Sequence, residues 1–581
     1  MIGLLIYWLA NYAAGYAPYK IFFDRANKLE RLIIPQVLGL IALPSLFLAL
    51  NYLIGFEKAL LATVAVAFAA ALLVFLKVKN RTEDIAIGPH IFILIAAVAS
   101  LVGLSLLSGS MYTISADLTF YKTATNSIIN THSFPPELTC FAGATYHYPW
   151  FFNLSIALQQ LYSGLSEFLV YPVYTLYMAI LFVATAYILG LKYSQNNTLA
   201  TLFAAAMASY FFNSLQVTAP PSYVLPIIML FFYAFSSFVK TPTAKTGILT
   251  GALAGSTIYV HGLSFGFVAL VLFAYVLKKI LFDTKNVVQI AYPLAGAAVA
   301  LPYLLFIKSQ TLSAFLFLPF STALTFNYVS PFGFLVALFL LSVIKTNNSK
   351  ESRLTLIYAT ALLFIFANIF VMKHSPNIDR FMIYMAIPMG LLALDWLGKV
   401  DKRIFIIVMI IAALIFIPPV IQLVHSFLLG QPTIETEKYN VSQWLMDNTK
   451  PGEIILASPS PFYSGLSERR QVICEPYFLL GWLYDPAQIK ERFGDLLALY
   501  KEPSREFIEK YGIRHVVLGN QEKDFLSSYD ITPYDFGTSK AFRLVYSTGT
   551  YKIYELIDAS ALPAKTKIPN FSNYSKWWAV T

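Results

Sequence analysis

The chain has 581 residues, 57% of them hydrophobic and 12% charged, with mean hydropathy +0.64 and formal net charge +10. A soluble domain carries about 25% charged residues. Half that density, with recurrent apolar runs of about twenty residues, excludes a soluble globular protein and describes a polytopic helical membrane protein. The positive charge is no nucleic-acid signal, because Lys and Arg sit in short links between apolar runs, where they orient helices in a bilayer.

In chain order, apolar runs are expected at 2–18, 32–54, 57–77 and 87–107. Others follow at 166–190, 196–214, 221–239, 246–260, 263–278, 287–307, 329–345, 354–372, 380–397 and 403–421, about fourteen spans in all. The first run lacks a basic flank and a cleavage site, so a retained helix is expected rather than a signal peptide. Basic links carry Lys20, Arg25, Lys28 and Arg31, then Lys77, Lys79 and Arg81. Lys192, Lys240, Lys245, Lys278, Lys279, Lys285, Lys345, Lys350, Arg353, Lys399, Lys402 and Arg403 follow. With the spans above, every such link falls on one side, which is expected to be cytoplasmic. The polar stretch Ser108–Trp150 and everything after about residue 422 then lie outside. The expected organisation is three extra helices over 1–86, a transmembrane core over 87–428 with the loop 108–150, and an extracytoplasmic α/β domain over 429–581. In that last region EIILAS (453–458) and HVVLGN (515–520) read as buried strands. SREFIEKYG (504–512) reads as a helix stopped by glycine, and FRLVYSTGTYKIYEL (542–556) as a hairpin. Trp577 and Trp578 in the tail are candidate interface anchors.

Within the loop the acidic residues are few. Asp117 follows a long apolar helix and opens a segment whose Leu118, Tyr121, Ile128 and Ile129 can share one face of a helix lying on the membrane surface. It sits where a helix cap is expected, so it reads either as a cap or as a general base. Lys122 either steers a phosphate or is an exposed cation. Tyr146, His147, Tyr148 and Trp150 form an interfacial aromatic belt or stack on a sugar ring. His261, between two short apolar runs, is a structural hydrogen-bonding group or a site residue at membrane depth. Lys308, Lys373 and Arg380 lie on the outer side against the charge rule, as cations for an anionic ligand or as side chains snorkelling to lipid phosphates. No cluster has metal-ligand spacing and the loop has no D-x-D pair; no cofactor is called for, and a divalent metal stays open. Cys140 and Cys474 are too few for a disulfide scaffold, but both are expected outside, where a bridge is permitted. Asn440, Asn570 and Asn573 head N-x-S sequons.

Several segments together resemble the GT-C superfamily of integral membrane glycosyltransferases. They are an Asp just after a helix in a long first outside loop, FPPELTCFAGATYHYPW (134–150), HGLSF (261–265), NIDRFMIYMAIPMGLLAL (377–394), and a small outside domain ending VYSTGTYKIYEL (545–556). The resemblance spans most of 87–558 and rests on order and topology more than on any one motif. It implies a polyprenyl-phosphate-linked sugar donor, a glycan, lipid or protein acceptor, Asp117 as base and Arg380 holding the donor phosphate with Lys373 or Lys308. Tyr121, Lys122, Tyr146, His147 and His261 are the implied substrate contacts. Many relatives have a histidine four residues after the Asp, where this chain has Tyr121. The acidic loop pairs and Trp-Trp-Asp motif of the oligosaccharide-transferring branch are absent, so transfer of a single hexose or pentose is expected. A transporter or flippase of lipid-linked glycans, and a non-catalytic scaffold, are the rival readings.

Overall fold

The computed structural model describes residues 2–23, 25–77, 81–82, 87–107, 116–214, 220–311, 331–344, 355–362, 378–412, 414–415, 436–481 and 484–565. The chain divides into two compact units. The first comprises Met1–Met111, Leu158–Phe306 and Phe317–Gly430, and the second Tyr112–Ala157, Ile307–Leu316 and Gln431–Thr581.

The first unit is helical apart from two short strands, β1 (Arg25–Ala26) and β2 (Arg81–Thr82), which pair in parallel. It holds α1 (Ile2–Phe22), α2 (Lys28–Ile54), α3 (Phe56–Lys77), α4 (His90–Leu107), α7 (Glu167–Ser194), α8 (Asn197–Ser214), α9 (Pro220–Lys240), α10 (Ala244–Ser256), α11 (Gly262–Phe282), α12 (Ala291–Ala297), α14 (Pro331–Ile344) and α15 (Ile378–Leu397). Among the described residues, six helical stretches are long and apolar enough to cross a membrane. The protein is a multi-pass membrane protein. On α3, Leu61 is 79% exposed and Phe75 61%, apolar surface of the kind that a bilayer covers.

The three N-terminal helices are built into this unit rather than appended to it. A Cβ on Gly15 would fall on the Pro35 carbonyl oxygen, and one on Gly39 on that of Asn11, so α1 and α2 cross backbone to backbone. The Asn11 amide donates to Tyr177 of α7 at 2.9 Å and to the Gln36 carbonyl at 2.8 Å. Asn27 caps α2 reciprocally with Glu30, whose other oxygen accepts from Tyr233 of α9 at 2.9 Å. Interhelical hydrogen bonds of this kind contribute about 0.6 kcal/mol each in a membrane. The run expected at 246–260 is helical but changes helix type before its end. α10 stops at Ser256, a 3₁₀ turn covers Thr257–Tyr259, and His261 is extended before α11 starts at Gly262.

The second unit carries a five-stranded sheet in the order β4-β3-β5-β7-β6, formed by β3 (Ile454–Leu456), β4 (Arg470–Gln471), β5 (Ile513–Leu518), β6 (Phe542–Thr548) and β7 (Tyr551–Leu556). β3 pairs in parallel with β4 and β5, and β7 antiparallel with β5 and β6. Its helices are α5 (Ala116–Thr131), α16 (Thr436–Asn448), α17 (Phe462–Ser467), α18 (Pro476–Gly481), α19 (Pro486–Lys501), α20 (Arg505–Tyr511) and α21 (Asn520–Ser527). α6 (Phe151–Ser163) and α13 (Leu301–Thr311) each contribute residues to both units. The core joins loop residues Phe120, Leu138, Cys140, Phe141 and Tyr146 to Leu456, Val472, Cys474 and Leu496. Cys140 and Cys474 form a disulfide.

His515 on β5 is buried beside Glu453, 3.3 Å away. Burial lowers the imidazole pKa, and the Glu453 and Glu555 carboxylates, which pull it up, do not overcome that. The unfolded chain therefore binds the proton more readily. The stability that His515 contributes is complete above its unfolded pKa, about 6.5, and is lost as pH falls through the lower folded value. The melting temperature of the purified protein should fall more steeply from pH 7.5 to 5.5 in the wild type than in His515→Gln. Equal slopes would sink this account.

Candidate active site

α5 carries Asp117 as the second of its described residues, Ala116–Thr131. The aspartate thus lies inside the helix instead of preceding it as a cap; its side chain is outside the described part. The expectation of a helix lying on the membrane surface is corrected by its burial. Thr119, Phe120, Tyr121, Lys122, Thr123, Thr125, Asn126, Ser127 and Ile128 are all buried, so polar and apolar faces alike are enclosed by protein.

A polar helix stays buried only where its groups are bonded. The Asn153 amide of α6 donates to the Tyr121 carbonyl at 2.6 Å and to Thr125 Oγ1 at 3.3 Å. The Asn126 amide donates to the Gly465 carbonyl at 3.2 Å. The Tyr121 ring packs against Tyr148 and edge-on to Phe152, with centroids 6.0 and 5.7 Å away. Lys122 is 2% exposed, not the surface cation its sequence allowed.

The aromatic end of the loop packs inward. Tyr146 is buried against Phe120 and Tyr148. The His147 ring stacks on Tyr484 with centroids 4.1 Å apart, and the His147 amide donates to the Tyr484 hydroxyl. That hydroxyl donates to the Thr145 carbonyl at 2.6 Å, and burial drives its pKa up, so it stays a donor. Glu137 is engaged: its Oε1 accepts from Arg470 at 2.6 Å and from the Gly143 amide at 2.6 Å.

In the first unit, Arg380 lies in the first turn of α15, with its side chain outside the described part. One helical turn on, the Tyr384 hydroxyl accepts from Ser264 Oγ at 2.8 Å, and Ser264 lies 2.7 Å from His261 Nδ1. All three are buried. His261 thus ties the start of α11 to the turn of α15 that follows Arg380. Sequence reasoning missed Ser264 and Tyr384; the i+3 step from His261 and the i+4 step from Arg380 were the available signals. Lys308 is in α13, with its side chain outside the described part, and Lys373, Asn570, Asn573, Trp577 and Trp578 lie outside the described residues altogether.

No family model matches the chain, and no curated protein matches it. Its fold is similar to that of solved structures of the membrane protein ArnT. The crystal structure of ArnT from Cupriavidus metallidurans bound to undecaprenyl phosphate is similar with a TM-score of 0.55 at 10% identity, over 82% of this chain and 99% of that one. The apo form of ArnT gives 0.53 at 11% identity over the same shares. The archaeal oligosaccharyltransferase AglB from Archaeoglobus fulgidus, solved with an inhibitory peptide and a dolichol-phosphate, is less similar, at 0.45 and 12% identity over 73% and 69% of the two chains. At these identities the likeness is one of fold.

Proposed function

We propose that this protein is a glycosyltransferase that moves a single hexosyl or pentosyl group from a polyprenyl-phosphate donor to an acceptor hydroxyl on the extracytoplasmic side of the membrane. The observation that carries the reading is the fold shared with ArnT over nearly its whole length, in a structure that holds undecaprenyl phosphate. About fourteen spans place Ser108–Trp150 and the region after 429 outside by the alternation of basic links. The Cys140–Cys474 disulfide supports that placement, because such bonds persist in oxidising compartments.

The donor enters laterally from the bilayer. The acceptor oxygen attacks the anomeric carbon while the bond from that carbon to the phosphate oxygen breaks, inverting the centre. Asp117 takes the proton of the attacking hydroxyl. Arg380, with Lys373 or Lys308, neutralises the departing lipid phosphate.

The test is transfer of labelled sugar from polyprenyl-phosphate donors in proteoliposomes. We expect transfer by the wild type and a loss of about 10- to 100-fold in kcat/KM for Arg380→Gln, the size of a charge-assisted contact to phosphate. Flipping or uptake of the lipid-linked sugar with no transfer would overturn the reading in favour of a transporter.

A further inference from the structure

We infer that α17 is a clamp that sets the position of Asp117, with Gly465 and Asn126 as its positioning residues. The inference rests on the proposed role of Asp117 as base and extends it to a segment with no expected part in the chemistry.

The contact is backbone to backbone. A Cβ built on Gly465 would stand 2.5 Å from the Thr119 carbonyl oxygen and 3.1 Å from its carbonyl carbon and Cα. Thr119 is two residues after Asp117, about 3 Å along the helix axis. Within the same unit Asn126 donates to the Gly465 carbonyl at 3.2 Å, so one glycine meets α5 at two points, almost two turns apart. The Asn153 amide holds the Tyr121 carbonyl between them.

α17 is itself firmly held, as a clamp must be. All six of its residues are buried. The Ser464 amide donates to Gln471 Oε1 at 3.2 Å, and Gln471 Nε2 donates to the Ser458 carbonyl at 3.2 Å, locking α17 to β4 and to the chain that leaves β3. The Lys438 ammonium lies 4.0 Å from the centroid of the Phe462 ring. The sheet of the second unit therefore reaches the backbone of α5, two residues from Asp117, through one short helix. A methyl group on residue 465 must drive the first turn of α5 away by about 0.5–1 Å before contacts become ordinary. A reacting group misplaced by about 1 Å can lose 100-fold in rate.

The experiment compares Gly465→Ala and Asn126→Ala with the wild type, each also placed in an Asp117→Asn background, by steady-state kinetics of sugar transfer and by thermal melting. We expect kcat to fall about 10- to 100-fold in Gly465→Ala and about 3- to 10-fold in Asn126→Ala, with donor KM within about threefold. In the Asp117→Asn background neither substitution should slow the residual rate further, because the group it misplaces is already gone. A purely structural defect would lower that residual rate by the full factor. Wild-type kcat in both single variants, or undiminished losses in the Asp117→Asn background, overturns the clamp. Asn126→Ala introduces no clash and keeps the test open where Gly465→Ala fails to fold. An Asp117→Asn enzyme at the wild-type rate would instead remove the base assignment, and the clamp with it.

Discussion

Asp117→Asn is expected to lower kcat for sugar transfer by about 100- to 10,000-fold, the usual contribution of a positioned general base, with little change in donor KM. The carboxamide is nearly isosteric but accepts no proton, so binding survives while the chemical step slows. Asp117→Glu should fall between the two, since it restores the base but displaces it by a methylene. Two other ionisable groups of the loop are engaged elsewhere. Glu137 is paired with Arg470 and the Gly143 amide. The His147 ring is stacked on Tyr484. Measured kcat at the wild-type level, with melting unchanged, would sink the assignment.

Local signals carried four strands of the sheet, but not β4 and not what encloses the polar helix. HVVLGN gave β5, whose strand starts two residues earlier at Ile513. SREFIEKYG gave α20, stopped by Gly512 in the left-handed region at φ 65°. The β6–β7 hairpin turns at Gly549, also at positive φ. These elements are fixed by neighbours in sequence, through alternation and turn chemistry. α5 is different. Its run of Thr, Lys, Asn and Ser reads as a solvated face, and partners far along the chain, the Asn153 amide and the Gly465 carbonyl 339 residues from Asn126, offset the cost of its burial. α6 was missed for a related reason: Asn153, Gln159 and Gln160 interrupt its apolar run, although all three are in a helix. Polarity misleads where long-range partners supply the hydrogen bonds.

The candidate residues differ in how the sequence marks them. Asp117, Arg380 and His261 stood out as ionisable groups beside apolar runs. Gly465, Asn126, Ser264 and Tyr384 did not, because nothing in their own neighbourhood marks them; their role lies in what they touch.

The second large effect concerns the covalent link between those distant parts. Removing the Cys140–Cys474 bridge in a Cys140→Ser, Cys474→Ser double variant should destabilise the second unit by about 2–5 kcal/mol. The bridge spans a sequence separation of 334 residues, and chain-entropy stabilisation rises with the logarithm of that length. The intervening chain is itself largely folded, so the lower half of the range is expected. At about 2–4 °C per kcal/mol for a domain of this size, the melting transition should fall by about 5–12 °C. The non-covalent contacts at the same place set the contrast. The Ala142 amide donates to the Gln471 carbonyl at 3.0 Å, and the Gln471 amide to the Thr139 carbonyl at 2.9 Å. Arg492 donates to the Ala142 carbonyl at 2.7 Å, its guanidinium over the Phe141 ring. If these bonds alone held the loop to β4, the double variant would melt within about 2 °C of the wild type, less than 1 kcal/mol. A larger drop, matched in the wild type by a reductant that reaches the buried bridge, assigns the difference to the disulfide.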